Sequence, residues 1–249
     1  MSTAPVVRVL HHPKSSYEED EWEDAAAYSE QRGVVAVADG AAASYRAARW
    51  SSALVESFVT TDVGMDGERF AAWVAEVGER FQDRSVDVSD DASWYASDAS
   101  RRGSFATFCG LRFDPGGTRY TAVHVGDACL FHTRGDRLVA ANLNDPGEFD
   151  SMPDLLSSAD YSGSRGAETA RFLRGDVEPG DVLFLATDAL GAAMLRLDRA
   201  GQSVWRFFNR IGQQGFGPLV EELRSSLVME DDDVTLMRVR IGARTGAAS

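Results

Sequence analysis

Three short patterns each set an aspartate at the edge of an apolar, strand-like run. Asp39 closes Val35-Ala36-Val37-Ala38 and precedes Gly40, Asp188 follows Leu185-Ala186-Thr187, and Asp231-Asp232-Asp233 opens onto Val234-Thr235. A fourth acidic position, Glu23, stands with Asp24 after Trp22. An aspartate beside glycine at a strand end is by itself a turn signal. Four acidic positions that can share one sheet edge are harder to account for in that way, because strand-end carboxylates brought together by folding are ligands for hard divalent cations. Like charges about 4 Å apart repel by roughly 4 kcal/mol at an effective dielectric near 20, so such a cluster needs cations or must take up protons. The four histidines and two cysteines form no visible triad with a serine or a carboxylate.

The elements that must position these residues are legible in part. Val6 to Leu10 reads as a short strand and, after a charged stretch, Val34 to Ala38 as a buried one. From Ser44 the period becomes helical: Ala47, Trp50, Leu54 and Phe58 form one stripe, and Phe70, Trp73, Val77 and Phe81 a second, both expected to face one sheet. Asp83 to Arg102 is polar and Ser-rich, with Trp94 and Tyr95 as its large residues, and reads as a connection. Strands follow from Gly103 to Leu143, broken at Asp114-Pro115-Gly116-Gly117 and Arg134-Gly135-Asp136, as antiparallel hairpins. The segment 144–168, rich in Gly, Ser, Asp and Pro, reads as a flap-like insertion. Val182 to Ala186 is apolar on both faces and so central. Phe216, Leu219, Val220, Leu223 and Leu227 mark a late helix, Met237, Val239 and Ile241 alternate with Arg238 and Arg240 in a closing strand, and 243–249 reads as a frayed tail. Antiparallel strands with helices toward both ends, without steady strand-helix alternation, point to an α+β fold.

At 249 residues and 44% hydrophobic, the chain suits a single domain spanning 1–249. A formal charge of -14 repels polyphosphate backbones and anionic lipid, so neither nucleic acid nor a membrane surface is an expected partner. No run approaches the roughly 18 apolar residues of a membrane span, and a cytoplasmic location is expected. Cys109 and Cys129 lie in apolar runs, where thiols act as small hydrophobes. Lys14 is the single lysine, which reads as a compositional feature.

Six segments, in order, resemble the metal-dependent type 2C family of Ser/Thr protein phosphatases in its bacterial branch. Glu23-Asp24 looks like the family's E-D pair, Val37-Ala38-Asp39-Gly40 is similar to V-x-D-G, and Gly103-Ser104-Phe105-Ala106-Thr107 to its G-S/T-T strand start. Val125-Gly126-Asp127-Ala128 looks like V-G-D-S, while Ala186-Thr187-Asp188-Ala189-Leu190 and Asp232-Asp233-Val234-Thr235 resemble S-D-G-L and D-N-I-T. The resemblance implies a four-layer αββα sandwich of two antiparallel sheets flanked by helices, with two Mg²⁺ or Mn²⁺ ions at one end. It implies that Asp39 bridges both ions, Asp188 and Asp232 hold one, and Glu23 with the Gly40 carbonyl holds the other, with Asp24 orienting ligands. Asp39, Asp188 and Asp232 would carry catalysis. Two ions about 3.5 to 4 Å apart activate a water and hold a phosphoryl oxygen for in-line attack, so no side-chain nucleophile is required. The implied substrate is a phosphoserine or phosphothreonine protein, opposite a bacterial Ser/Thr kinase.

The chain also departs from the family pattern. Ala41-Ala42-Ala43 replaces the histidine-bearing D-G-H-G-G continuation, and Glu19 stands where a phosphate-gripping arginine is usual, leaving Arg46, Arg49, Arg101 and Arg102 as substitutes or plain surface residues. Ala192 replaces an acidic residue that helps bind a third ion in some members, so a third ion is not expected and Asp127 reads as structural. Asp233, in the usual asparagine position, is open to two roles: adding charge to the site or capping the turn. His11 and His12 are either proton donors or solvated loop residues, while His124 and His132 read as structural. Two alternatives stand beside phosphoprotein hydrolysis: a catalytically weak or inactive module that binds a partner protein, and a hydrolase of small phosphate esters.

Overall fold

The computed structural model of the chain describes residues 5–15, 22–41, 44, 46–83, 103–149, 152–159 and 165–242. One sheet runs in the order β2 (Asp24–Ser29), β3 (Val34–Gly40), β4 (Phe105–Phe113), β5 (Arg119–Val125), β9 (Arg171–Asp176), with the two-residue β8 (Leu156–Ser157) also paired to β4. The other runs β1 (Val6–His12), β11 (Val234–Arg240), β10 (Val182–Ala186), β6 (Cys129–Arg134), β7 (Arg137–Ala141). All neighbouring strands are antiparallel. The helices are α1 (Ala47–Thr60), α2 (Gly67–Asp83), α3 (Asp188–Arg199), α4 (Val204–Arg210) and α5 (Gln213–Ser225).

The two-residue period of the strands sorts their side chains into three apolar layers. Val35 and Val37 of β3 meet Leu183 and Leu185 of β10 and Met237 and Val239 of β11 between the sheets. The alternate residues Val34, Ala36 and Ala38 face Trp50, Leu54 and Phe58 of α1 and Phe70, Trp73 and Val77 of α2. On the opposite outer face, Phe184, Ala186, Val234 and Leu236 lie under Leu190, Met194, Trp205, Phe208 and Phe216 of α3 to α5. The result is the four-layer αββα sandwich. Trp50, Phe58, Phe70 and Phe108 are fully buried, each worth about 1.5–3 kcal/mol of apolar transfer. Gly110 of β4 makes room for this layer, since a Cβ there would stand 2.6 Å from Cζ of Phe58.

Several elements differ from the sequence expectation, each for a physical reason. The charged stretch after β1 contains β2, whose Ala25, Ala26 and Ala27 carry little strand propensity; their small size lets α1 approach until Ser51 Oγ donates to the Glu23 carbonyl at 2.6 Å. Helices α3 and α4 were not anticipated, although Leu190, Ala193, Met194 and Leu197 do keep helical spacing. Part of the 144–168 segment is built into the fold: Leu156 is buried, and its carbonyl accepts from Trp50 Nε1 at 2.9 Å. The late helix stops at Ser225, so Leu227 leaves the stripe and is 90% exposed. Arg238 lies on the helix-facing side of β11, buried, where its guanidinium caps α4 through the carbonyls of Phe208 at 2.7 Å and Ile211 at 2.9 Å. Burial lowers its pKa to about 10, so it stays charged at neutral pH. The 83–102 connection beyond residue 83, with Trp94 and Tyr95, and the 243–249 tail lie outside the described residues. No helix among the described residues is long and apolar enough to cross a membrane.

Candidate metal centre

The acidic positions gather where β2, β3, β10 and β11 end. Asp24 opens β2 and is the register partner of Asp39 near the end of β3. Asp188 is the first residue of α3, directly after β10, and Asp232 and Asp233 precede β11. The pairing of β10 with β11 places Ala186 opposite Leu236, so the chain leaving β10 and the chain entering β11 lie together. Gly40 seals the β3 end: its N–H donates to the Glu23 carbonyl at 3.2 Å, and a Cβ there would stand 2.8 Å from the backbone of Ala47 and 2.9 Å from that carbonyl.

Crowding shows in the acid strengths. Burial, reinforced by Asp24, Asp188, Asp232 and Asp127, holds Asp39 well above the usual carboxylate range. Burial does the same to Asp24, with Asp233 and Asp188 adding repulsion and the Thr235 and Thr187 hydroxyls opposing it. Asp188 rises to about 6, chiefly through burial, although Ala189 N–H donates to its Oδ1 at 2.6 Å. Asp232 also rises, mainly through burial, with Lys14 acting in the other direction.

The surrounding bonds show how this edge is held. Asp233 accepts two backbone N–H groups, from Lys14 on Oδ1 and from Glu23 on Oδ2, each at 2.9 Å. Asp231 Oδ1 accepts from the backbone and hydroxyl of Ser15, both at 3.0 Å. Arg224 of α5, buried, donates to the Asp232 carbonyl at 2.6 Å and to Glu221 at 2.9 Å, with Asp231 at 3.3 Å. Thr187 Oγ1 donates to Asp24 Oδ2 at 3.0 Å and accepts from Thr235 N–H at 3.0 Å. Glu23 itself is turned to the Lys14 ammonium, 3.0 Å from its Oε2, and that ammonium lies 4.0 Å from Asp232 Oδ1. Lys14, Arg224 and Thr187 were missed as site residues; for Lys14 the only available signal was that it is the sole lysine. Among the described residues, no three carboxylate, imidazole or thiol groups stand arranged to hold an ion as they are.

The remaining candidates are distributed as follows. Asp127, in the β5–β6 turn, is buried and near enough to repel Asp39. Arg46 and Arg49 line a groove between α1 and α2 with Glu56 and Arg80. His12 Nε2 is 2.9 Å from Glu221, and His11 stacks edge-on with Trp22. His132 is buried with Nε2 3.0 Å from Asp181, a structural pair at the other end of β10. Burial lowers the pKa of His124, on the strand face of Tyr120 and Ala122. Both cysteines are buried, and burial lifts the Cys109 thiol to about 12. Glu19, Ala42, Ala43, Arg101 and Arg102 lie outside the described residues.

Residues 10–228 match the family described as protein phosphatase 2C. The chain belongs to that family. Its members are metal-dependent serine/threonine phosphatases, and this chain is a metal-dependent protein-serine/threonine phosphatase. The matched span includes Glu23, Asp39 and Asp188 and stops before the Asp231–Asp233 run. No curated protein sequence matches the chain. Among solved structures, the chain is similar to the serine/threonine phosphatase Stp1 from Staphylococcus aureus, with TM-score 0.64, 12% identity, and coverage of 98% of this chain and 97% of that one. It is also similar to PppA, a key regulatory component of T6SS in Pseudomonas aeruginosa, with TM-score 0.59, 18% identity, and coverage of 96% and 98%. A third is the catalytic domain of the phosphatase PstP in complex with two manganese ions, with TM-score 0.56, 16% identity, and coverage of 96% and 99%. At these identities the likeness carries the fold, and the family assignment rests on the sequence match.

Proposed function

We propose that Glu23, Asp39, the Gly40 carbonyl, Asp188 and Asp232 hold the two divalent ions, and that Asp39, Asp188 and Asp232 are the residues on which hydrolysis depends. The observation that carries this reading is the convergence of Asp24 and Asp39 from one sheet with Asp188 and Asp232 from the other, at one end of the sandwich rather than along a single sheet edge, with their ionisation held back. Buried carboxylates forced toward the protonated form are a poor arrangement for stability alone and a good one for divalent cations, which need oxygen donors with negative charge. The donor set fits, because every residue in it offers oxygen. A side-chain cation, the Lys14 ammonium, already lies against Glu23. When bound, two ions supply a nucleophile at neutral pH and neutralise the phosphoryl oxygens.

The chain's own residues do the rest. Asp233 fixes the backbone that carries Glu23, Thr187 holds Asp24 beside Asp39, and Arg224 fixes the backbone that carries Asp232. We place the protein in the bacterial cytoplasm, reversing phosphorylation by a Ser/Thr kinase. Asp39→Asn and Asp188→Asn are expected to abolish Mn²⁺-dependent release of phosphate from a phosphothreonine peptide. Unchanged turnover in both would refute the assignment. Faster hydrolysis of nucleotides or sugar phosphates than of the peptide would move the substrate to small esters.

A further inference from the structure

The position of Lys14 goes beyond this reading and rests on it. Its ammonium is the cation placed directly on an acidic residue proposed to bind an ion, 3.0 Å from Glu23 Oε2, with Asp232 Oδ1 at 4.0 Å and a side chain only 12% exposed. Glu23 and Asp232 belong to the opposite halves of the proposed two-ion site, so the ammonium stands between those halves. Its backbone is anchored, since the N–H donates to Asp233 Oδ1 at 2.9 Å, and the same carboxylate holds the Glu23 N–H. The four-carbon stem, by contrast, gives the ammonium several rotatable bonds by which it can leave while the backbone stays.

We propose that Lys14 is a tethered counter-cation that competes with the divalent ion on the Glu23 side. A Glu23 oxygen that accepts from an ammonium is withheld from a metal, and two cations against one carboxylate repel each other. The ion on the Glu23 side therefore binds only as Lys14 swings away. The two ions bind stepwise: the first more tightly on the Asp39, Asp188 and Asp232 side, the second more weakly. The same contact explains why Glu23 points to a lysine rather than joining the other carboxylates in a preformed shell. Without metal, Lys14 offsets part of the negative charge that Glu23 and Asp232 bring to this edge.

The test is calorimetric titration of the metal-stripped full chain with Mn²⁺, supported by electron paramagnetic resonance of free Mn²⁺ for stoichiometry. Wild type, Lys14→Met and Lys14→Arg are compared. The expected result is two sites in wild type, with the weaker one tightened about tenfold or more in Lys14→Met, which corresponds to about 1.4 kcal/mol, and left weak in Lys14→Arg. In EDTA, Lys14→Met should melt below wild type, and added Mn²⁺ should raise its Tm by more. If Lys14→Met does not fold in EDTA, the titration is run by Mn²⁺ exchange on protein refolded with the ion, and Lys14→Gln is measured beside it. A weaker site of equal affinity in wild type and in the folded Met or Gln variant overturns the role of Lys14 and leaves the carboxylate assignment standing. Absence of Mn²⁺ binding in every protein overturns both.

Discussion

Replacing Asp233 with asparagine tests how this edge is assembled. The carboxylate accepts the N–H of Lys14 on one oxygen and that of Glu23 on the other, each at 2.9 Å. An amide has one acceptor oxygen, so one of the two N–H groups must face an NH₂ donor. The loss is one charge-assisted hydrogen bond, about 1.5–3 kcal/mol, in a residue only 3% exposed. An opposing term exists, because Asp233 repels Asp24. That relief is the smaller contribution, because burial rather than Asp233 is the main cause of the raised pKa of Asp24. The hydrogen-bond loss wins, and Asp233→Asn should cost about 1–3 kcal/mol, or a Tm lower by roughly 2–12 °C for a chain of this size. Because Glu23 loses its backbone anchor, half-saturation by Mn²⁺ should also rise by about 10–100-fold, as for other residues that orient metal ligands. Urea denaturation in EDTA measures the first effect and Mn²⁺-dependent phosphopeptide hydrolysis the second. A variant with wild-type stability and wild-type Mn²⁺ dependence would refute the idea that Asp233 organises this edge.

Further outcomes are expected. Asp39→Asn should lose Mn²⁺-dependent activity yet match or exceed wild-type Tm in EDTA, because it removes a buried, repelled carboxylate; a large loss of Tm in EDTA would count against the repulsion. Folded-state pKa values raised above the unfolded ones mean that the native state binds more protons, so stability falls as pH rises from the unfolded value toward the folded one. For Asp188 that window is 3.8 to about 6, and Asp24 and Asp39 are shifted in the same direction. Metal-free Tm should therefore drop as pH rises through that window, and saturating Mn²⁺ should abolish the drop, as thermal scans across the same window would show. Leu227 occupies the left-handed position after α5, at φ 58, with Val228 N–H on the Leu223 carbonyl and Leu227 N–H on that of Arg224. Glycine favours this place, and the leucine side chain is exposed. Leu227→Gly should gain about 0.5–1 kcal/mol in urea denaturation, and a loss would refute the strain.

Direct hydrolysis by chain-held metal explains why the histidines and cysteines take other work. His12 pairs with Glu221, His132 with Asp181 and His11 with Trp22, and both thiols lie in the core. The family's histidine continuation is replaced by alanines, so proton delivery to the leaving oxygen cannot depend on a side chain at residues 41–43.

Apolar patterning determined the parts with large side chains: the stripe Ala47, Trp50, Leu54, Phe58 became α1, and the apolar run Val34 to Ala38 became the buried strand β3 that carries Asp39 near its end. The acidic positions were legible because aspartates interrupt apolar runs at strand ends, and their order along the chain matched a family. Elements made of small residues were not: β2, carried by Ala25, Ala26 and Ala27, has no stripe to read, and only packing against α1 and pairing with β3 specify it. The alternation that marks the closing strand did not show that Arg238 is buried under the C-terminal carbonyls of α4, which only the packing of that helix decides. Lys14 lies nine residues before Glu23 and 218 before Asp232, distances across which local sequence carries no pairing information. Which charges meet at the acidic end of the sandwich is decided by strand register and loop anchoring, because the energy that selects them comes from contacts formed only when distant strands pair.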